Sequence, residues 1–506
     1  MTAPRWRMVW TWAGVTGEAY VSPDFAQRSD LYSPGGDDTS VTVRFVPRQI
    51  RSVAAVVNGG IPLYTGSADL YYGDVLVTSG RWSTESSYGR DGDPIEVVIT
   101  ESWEDDGAAW PPLGGLRRPG ADVIGDEVAG LRPGIVSRRT WPLSVYAAGQ
   151  GEGYPVIFGT PGTSTIPGAP APVIADASAT SIGVMVHAGA LTGDLLLWGP
   201  QRSSDADAMI SVSVTPSSTS DTLGCVVSQV SFNSGAVGYP GWSSTGARYY
   251  TSWTGTARGL PSGGGDLLVA ALESSALRCD VDAARAMRGV LNRYRLDGFS
   301  NDLVGPAEWA KRQLGAILPF TLTQGPRGLT PVLWPWLDSV TDSRWHLHEG
   351  PGFVGGPTVT YTGGGGASLV RVLHSYCPAT GEYTGEASAS SRDQLRGRVA
   401  ASLLGGRGRL QTVETRLIWD VATAERVARD RLLVGGTPRR TIAYQCDPGV
   451  YGAGGRFELR VGLPFILTDD RLSLSRAPAV VRRIERAGER MRVDVDLRDD
   501  GLRPAG

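Results

Sequence analysis

The cleanest alternation of apolar and polar positions lies near the end of the chain. In AVVRRIERAGERMRVDVDLRDD, Met491, Val493, Val495 and Leu497 alternate with Arg492, Asp494, Asp496 and Arg498. That is the period of a half-buried β-strand, and a turn at Ala487-Gly488 makes it the second arm of a hairpin. Upstream, RRTIAYQC sets Ile442, Tyr444 and Cys446 on one face, and RFELRV does the same with Phe457, Leu459 and Val461. Before them the period lengthens. Over residues 420–433, Val421, Ala424, Val427, Ala428 and Leu432 fall at helical spacing, with Asp420 placed to cap the N-terminus and Gly435-Gly436 placed to stop the helix. The prediction is one helix followed by an antiparallel sheet or small barrel with a charged outer face.

The first hundred residues also read as β. VTVRFVP, SVAAVVN, ADLYYGDVLVTSGRWSTES and PIEVVITES are β-prone runs separated by Gly, Pro and Asp turns. A Gly/Pro-rich connector follows, AAWPPLGGLRRPGADVIGDEVAGLRPG. Residues 160–275 then carry only ten charges and are rich in Ser, Thr and Gly, with alternating runs such as ISVSV and CVVSQVSF. From Cys279 the texture becomes helical: CDVDAARAMRGVLNRYRLDG has Val281, Ala284, Met287 and Leu291 along one stripe, and GPAEWAKRQLGAILP starts with Pro306 in its first turn. Two strands, GPTVTYTG and SLVRVLHSYC, and a helical run RDQLRGRVAASLLGG lead to the terminal module. The expected fold class is mainly β with an α/β middle, in several domains: an N-terminal β unit plus connector (1–150), an inserted β-domain (151–277), a small α/β domain with two helices (278–350) and a C-terminal helix-plus-β unit (351–506). Two barrel-like β units thus flank the other two.

Composition agrees with a globular chain of this length. Its 506 residues are 41% hydrophobic and 20% charged, enough for roughly three or four domains. The net charge of −3 argues against a general nucleic-acid binder. Lys311 is the only lysine, so nearly every cation is an arginine, a side chain suited to planar ion pairs. Cys225, Cys279, Cys377 and Cys446 are far apart and form no CxxC, which favours buried free thiols over metal clusters or disulfides. The apolar run in MTAPRWRMVWTWAG is too short and too rich in tryptophan for a secretory signal, and no stretch approaches the roughly 20 apolar residues of a membrane span. Synthesis and assembly in a cytoplasm are expected.

Candidate chemistry is sparse. The acid clusters Glu104-Asp105-Asp106, Asp469-Asp470 and Asp499-Asp500 read as solvated turns. A calcium site at Asp469-Asp470 lacks further oxygens nearby. His346 and His348 are two apart beside Glu349, short of the third ligand that zinc needs. No serine lies in GxSxG, and TYTGGGGAS lacks the Lys-Ser/Thr ending of a phosphate loop. No catalytic residue, metal site or cofactor is therefore assigned. Tyr239, Trp242, Tyr249, Tyr250 and Trp253 interleave with Gly and Ser. They suit a protein interface better than a sugar-stacking face, though both use flat aromatics. The charges of the last strand, Arg492, Asp494, Asp496 and Arg498, suit either subunit contacts or the lining of a channel.

The helix and strands of 420–498, with RR-x-I-x-Y, VGLPFILTDD and APAVV in that order, resemble the C-terminal tube domain of phage baseplate or tail-tip hub proteins, a family also found in gene transfer agents. AEWAKRQLGAILPFTLTQGPRGLTPVLWP is similar to that family's middle domain, and the N-terminal β unit to its first tube domain. Residues 160–275 depart from the minimal pattern. The resemblance implies a non-enzymatic homotrimer at the tail tip of a virion. Its six tube domains would match a sixfold tail ring above to a threefold spike or fibre below, with DNA passing through. Its partners would be the distal tail protein ring, the tape measure protein and a central spike or fibre protein, with a host envelope glycan for the inserted domain. The rival reading is a surface-polysaccharide binding or hydrolysing tail protein, which needs two carboxylates about 5–10 Å apart in a cleft.

Overall fold

Trp6, Met8, Trp10 and Trp12 alternate along the first strand and all are buried, so the N-terminal unit starts from an aromatic ridge that its other strands must cover. The structure, a computed structural model, describes residues 6–29, 37–100, 155–171, 173–178, 181–188, 193–202, 205–220, 226–233, 249–275, 277–300, 305–325, 327–334, 346–348, 356–362, 367–390, 409–436, 439–446, 461–462, 464–487 and 490–497. Strands β1 (Trp6–Trp12), β2 (Val15–Tyr20), β3 (Asp24–Ser29), β4 (Asp37–Phe45), β5 (Ser67–Tyr72), β6 (Val75–Trp82) and β7 (Ile95–Thr100) run in the order β2-β1-β5-β6-β7-β4-β3. The Trp82 ring lies 5.9 Å from that of Trp12, 6.4 Å from Trp10 and 6.0 Å from Phe45. Glycine is required beneath these rings. A Cβ on Gly17 would come within 2.4 Å of Trp10, and one on Gly66 within 2.5 Å of Trp82.

One run expected to be strand is helical. SVAAVVN forms α1 (Val53–Asn58), because the Ser52 hydroxyl accepts from Ala55 N at 3.0 Å and so caps the turn. Asp91 completes the cap by accepting from the Ser52 hydroxyl at 2.5 Å and from Ala54 N at 3.3 Å. These two bonds hold its carboxyl below the usual range, that from Ser52 most. The connector of the sequence reading lies outside the described residues.

The Ser/Thr-rich segment forms two four-stranded sheets. After β8 (Val156–Phe158) come β9 (Ala169–Pro170), β10 (Val173–Ser178), β11 (Ser181–Ala188), β12 (Leu195–Arg202), β13 (Asp205–Val214), β14 (Ser217–Ser220), β15 (Val226–Asn233) and β16 (Tyr250–Ser252). The sheets are β10-β11-β15-β14 and β13-β12-β16-β9. Val184, Val186 and Val230 of the first share a core with Leu195, Leu197 and Trp253 beside the second, which makes the segment a small β-sandwich. The segment is not wholly β. Gly264–Ser274 is a helix, α2, with Leu267, Leu268, Ala271 and Leu272 buried.

The two expected helices follow: α3 (Val281–Leu291), capped by Asp280 accepting from Ala283 N at 3.1 Å, and α4 (Pro306–Trp309), prolonged by a π-turn over Ala310–Leu314. Between them, β17 (Gly298–Ser300) pairs with β8. The hairpin of β18 (Phe320–Gly325) and β19 (Gly328–Leu333) comes next, and then β20 (His346–His348) and β21 (Thr358–Thr362). A three-stranded sheet of β22 (Ala367–Cys377), β23 (Glu382–Ser390) and β24 (Arg409–Glu414) has β22 at its centre. The helical run RDQLRGRVAASLLGG and the glycines of TYTGGGGAS lie outside the described residues.

The long helix α5 (Val421–Gly436) begins where the sequence places it, with Asp420 accepting from Thr423 N at 2.9 Å and from the Thr423 hydroxyl at 2.7 Å. Its buried apolar residues belong to a different core from that of the closing strands. Ala424, Val427, Ala428 and Leu432 share a core with Val370 and Val372 of β22, Ala387 and Ala389 of β23, and residues of α2, α3 and α4. Ala424 and Ala428 are small residues on the helix face that shares this core. The closing strands spend their apolar face on a different core.

Those strands are β25 (Arg439–Cys446), β26 (Pro464–Asp469), β27 (Leu474–Ala487) and β28 (Arg490–Leu497). RFELRV lies outside the described residues up to Val461, which is buried in a turn. Ala487 pairs with Arg490, so the hairpin turns where expected. The two terminal units are one sheet. β27, fourteen residues long, pairs along one side with β28 and along the other with β26 and then β3. The resulting 13-stranded sheet runs β2-β1-β5-β6-β7-β4-β3-β27-β28-β25-β21, with β26 and β20 off this path. Its core is shared, with Trp6, Trp10 and Trp82 in the same cluster as Tyr444, Ile484, Val493 and Val495. The fold is mainly β and multidomain, and its N- and C-terminal units are joined edge to edge.

Candidate interaction surface

At the joint, Arg28 to Phe25 of β3 lie opposite Arg483 to Arg486 of β27. Arg486 turns inward. Its guanidinium donates to Pro23 O and lies 5.1 Å from the centre of the Trp6 ring. Burial lowers its pKa below the ordinary arginine value. One C-terminal cation is therefore packed into the N-terminal aromatic ridge.

On the other face of β27 and β28 the charges answer one another. A bulge sets Arg482 apart between Val481 and Arg483, which keep to the β28 register. From there Arg482 reaches Thr441 Oγ1 at 3.4 Å and Asp496 Oδ1 at 3.8 Å, while the Thr441 hydroxyl donates to Asp496 at 2.6 Å. Arg492 grips Asp494 through Nε at 2.8 Å and Nη2 at 3.4 Å. Arg483 bonds Glu485 and lies 3.9 Å from Asp494.

The outer face of the last strand is therefore not simply solvent-facing. Met491, Val493, Val495 and Leu497 are buried as the alternation requires, but Asp494 and Asp496 are only 7% and 1% exposed. Carboxylates can stay buried here because arginine and hydroxyl donors of the same chain meet them. Both carboxylates have partners within the chain. Of the charged candidates, Arg492 alone is exposed, and Arg498 lies outside the described residues.

The aromatic candidates are not displayed either. Tyr249, Tyr250 and Trp253 are 3%, 7% and 0% exposed. Trp253 Nε1 donates to Thr251 Oγ1 at 3.1 Å inside the sandwich, and burial raises the Tyr249 hydroxyl's pKa. Trp242 and Tyr239 lie outside the described residues. Interleaved Gly and Ser let these rings pack into a small core, where the sequence suggested a flat surface. A sugar platform or an interface built from these three rings has no exposed face to use.

Asp469 is likewise engaged. It is 1% exposed, accepts from the Tyr444 hydroxyl at 2.9 Å and Arg471 N at 3.0 Å, and caps the short 3₁₀ turn Asp470–Leu472. His346 and His348 lie on β20, opposite Ile466 and Thr468 of β26. Glu104-Asp105-Asp106 and Asp499-Asp500 lie outside the described residues.

Sequence reasoning missed a charged cluster in the middle domain, with Arg431 buried and Asp430 half-buried. The Tyr294 hydroxyl donates to Asp430 of α5, and burial lifts the Asp430 carboxyl to about 6. Beside it, Arg431 donates to Gly315 O and stacks 4.8 Å from the centre of the Trp334 ring, with burial lowering it to about 10. The only signal in sequence was an Asp-Arg pair on the helix, which reads as an ordinary solvated face.

These residues define a β scaffold whose charges are turned on one another. No family model and no curated protein sequence matches the chain. Among solved structures it is similar to the 43 kDa tail protein of prophage MuSo2 from Shewanella oneidensis, at 9% identity over 98% of this chain and 100% of that one, with a TM-score of 0.39. It is also similar to the tail protein from Neisseria meningitidis MC58 (10% identity, 98% of each chain, TM-score 0.38) and to a chain of the virion of a native gene transfer agent particle (14% identity, 74% of this chain and 91% of that one, TM-score 0.40). With TM-scores below 0.5, these similarities carry no weight for function.

Proposed function

We propose that the chain is a structural hub of a phage-like tail tip, a homotrimer that closes the tail tube and matches sixfold symmetry above to a threefold spike or fibre below. The observation that supports this most is the joint between β3 and β27. One chain carries two β units side by side in a continuous sheet over a common core. Three such chains supply six units around one axis, which is the count a symmetry adaptor needs. The sandwich and the middle domain have cores of their own, separate from that of the large sheet. In this reading the chain works by shape and is not an enzyme. Its partners are a distal tail protein ring, a tape measure protein and a spike or fibre, and DNA passes through its centre.

Native mass measurement of the purified chain across a concentration range tests the proposal. The expected species is three times the 53.6 kDa chain mass, and it should bind tail-tube or distal-tail protein. A chain that stays monomeric at every concentration and binds neither would overturn it.

A further inference from the structure

The 13-stranded sheet has two path ends, β2 and β21, each paired with only one strand among the described residues. Their guards are slight: β2 carries one charge, Glu18, and β21 carries none. VTGEAY and TVTYT contain no Pro, Lys or Arg, and neither pairing shows a register shift. Soluble proteins normally blunt such edges with charge, proline or a bulge. On β2, Tyr20 is 70% exposed, and on β21, Val359 is 39% exposed.

The two edges are alike in length, six residues and five, and their faces correspond. Val15, Gly17 and Ala19 of β2 lie opposite the buried Trp12, Trp10 and Met8, on the core side of the sheet. Val359 lies opposite Ile442, which is 1% exposed, also on the core side. The other faces carry Thr16, Glu18 and Tyr20 on β2, and Thr358 and Thr360 on β21. A strand added beyond β21 with the β2 pattern would extend the apolar stripe on one face and the polar one on the other. The chain already makes such a junction between its own units, through the four residue pairs of β3 and β27.

We infer that β2 of one copy pairs with β21 of the next, head to tail, so that the junctions β3–β27 and β21–β2 alternate around a closed ring. The inference rests on the homotrimer reading and names its interface. A head-to-tail contact joins two different patches, so a single ring closes only if each copy offers both edges.

The test uses Tyr20→Lys and Val359→Lys in the full chain, two exposed positions where lysine is an ordinary edge guard, with folding checked by the melting transition. Each variant alone should lose assembly at least tenfold. Mixed one to one, they should form dimers that grow no further, since one intact β2 meets one intact β21 and the other two edges are both blocked. If each variant assembles as the parent does, the edge pairing is wrong while the trimer stands. If the variants are monomeric and yield no mixed dimer, the head-to-tail pairing is wrong. If the parent chain is itself monomeric, the trimer reading fails and takes this inference with it.

Discussion

The two β units at the ends of the large sheet share a core, yet they handle their second faces differently. In the N-terminal unit the core is a tryptophan cluster, and the opposite face carries ion pairs open to water: Arg44 and Glu96 at 2.5 Å with the arginine 76% exposed, and Arg7 and Glu18 at 3.7 Å with the carboxylate 49% exposed. In the C-terminal unit the core strands are mostly aliphatic, and the opposite face buries Asp494 and Asp496 beside Arg482 and Arg483 of the bulged strand and Arg492 of β28. The same alternation thus yields a wetted face in one unit and a closed polar layer in the other. In the C-terminal unit the bulge at Arg482 brings a cation within 3.8 Å of Asp496.

This contrast can be broken by substitution. Trp82→Ala should cost the most, about 3–5 kcal/mol of stability in denaturant titration, because three aromatic neighbours lose their partner. A cost near 1 kcal/mol would mean that the N-terminal unit does not depend on its aromatic cluster. Asp496→Ala should cost about 2–3 kcal/mol, since a buried carboxylate bonded to Thr441 and facing Arg482 is removed. Loss of less than about 0.5 kcal/mol would make the polar layer no different from a surface.

Helix α5 supplies a third setting, a half-buried carboxylate away from the large sheet. Asp430 holds its proton more tightly folded than unfolded, because burial lifts its pKa to about 6. Its contribution to stability is therefore greatest below about pH 4 and is lost as pH rises through about 6. Asp430→Asn should remove that slope and raise stability at pH 7 by on the order of 2 kcal/mol, as read by melting curves at a series of pH values. An unchanged slope would show that the carboxylate titrates as an exposed one. Glu96→Gln, at the exposed pair, should change stability by under about 1 kcal/mol, and a larger loss would erase the distinction between the two faces.

Much of this architecture was legible in the sequence. The alternation from Met491 to Leu497 and the cap-to-glycine span of α5 are local patterns, and each element forms where those patterns put it. Two helices were not legible as such. In α1 the valines read as strand, and only the Ser52 cap with its distant Asp91 decides the matter. In α2 a short leucine-rich run sits between Gly-Gly and Ser-Ser inside a β-like region. Burial of Tyr249, Tyr250 and Trp253 could not be read either, because aromatics among Gly and Ser look alike whether they line a small core or a surface. The closed layer at Asp494 and Asp496 depends on Arg482 and Thr441, neither of which the alternation of β28 reveals. The same holds for α5, whose sequence fixes its apolar stripe but not which of two sheets that stripe covers.

End-on electron-microscope averages of the assembled chain decide whether it forms a ring. Two β units per chain, joined through β3 and β27, predict a ring of six similar lobes with threefold symmetry around an open centre. Three isolated lobes, or single particles with no ring at any concentration, would contradict it.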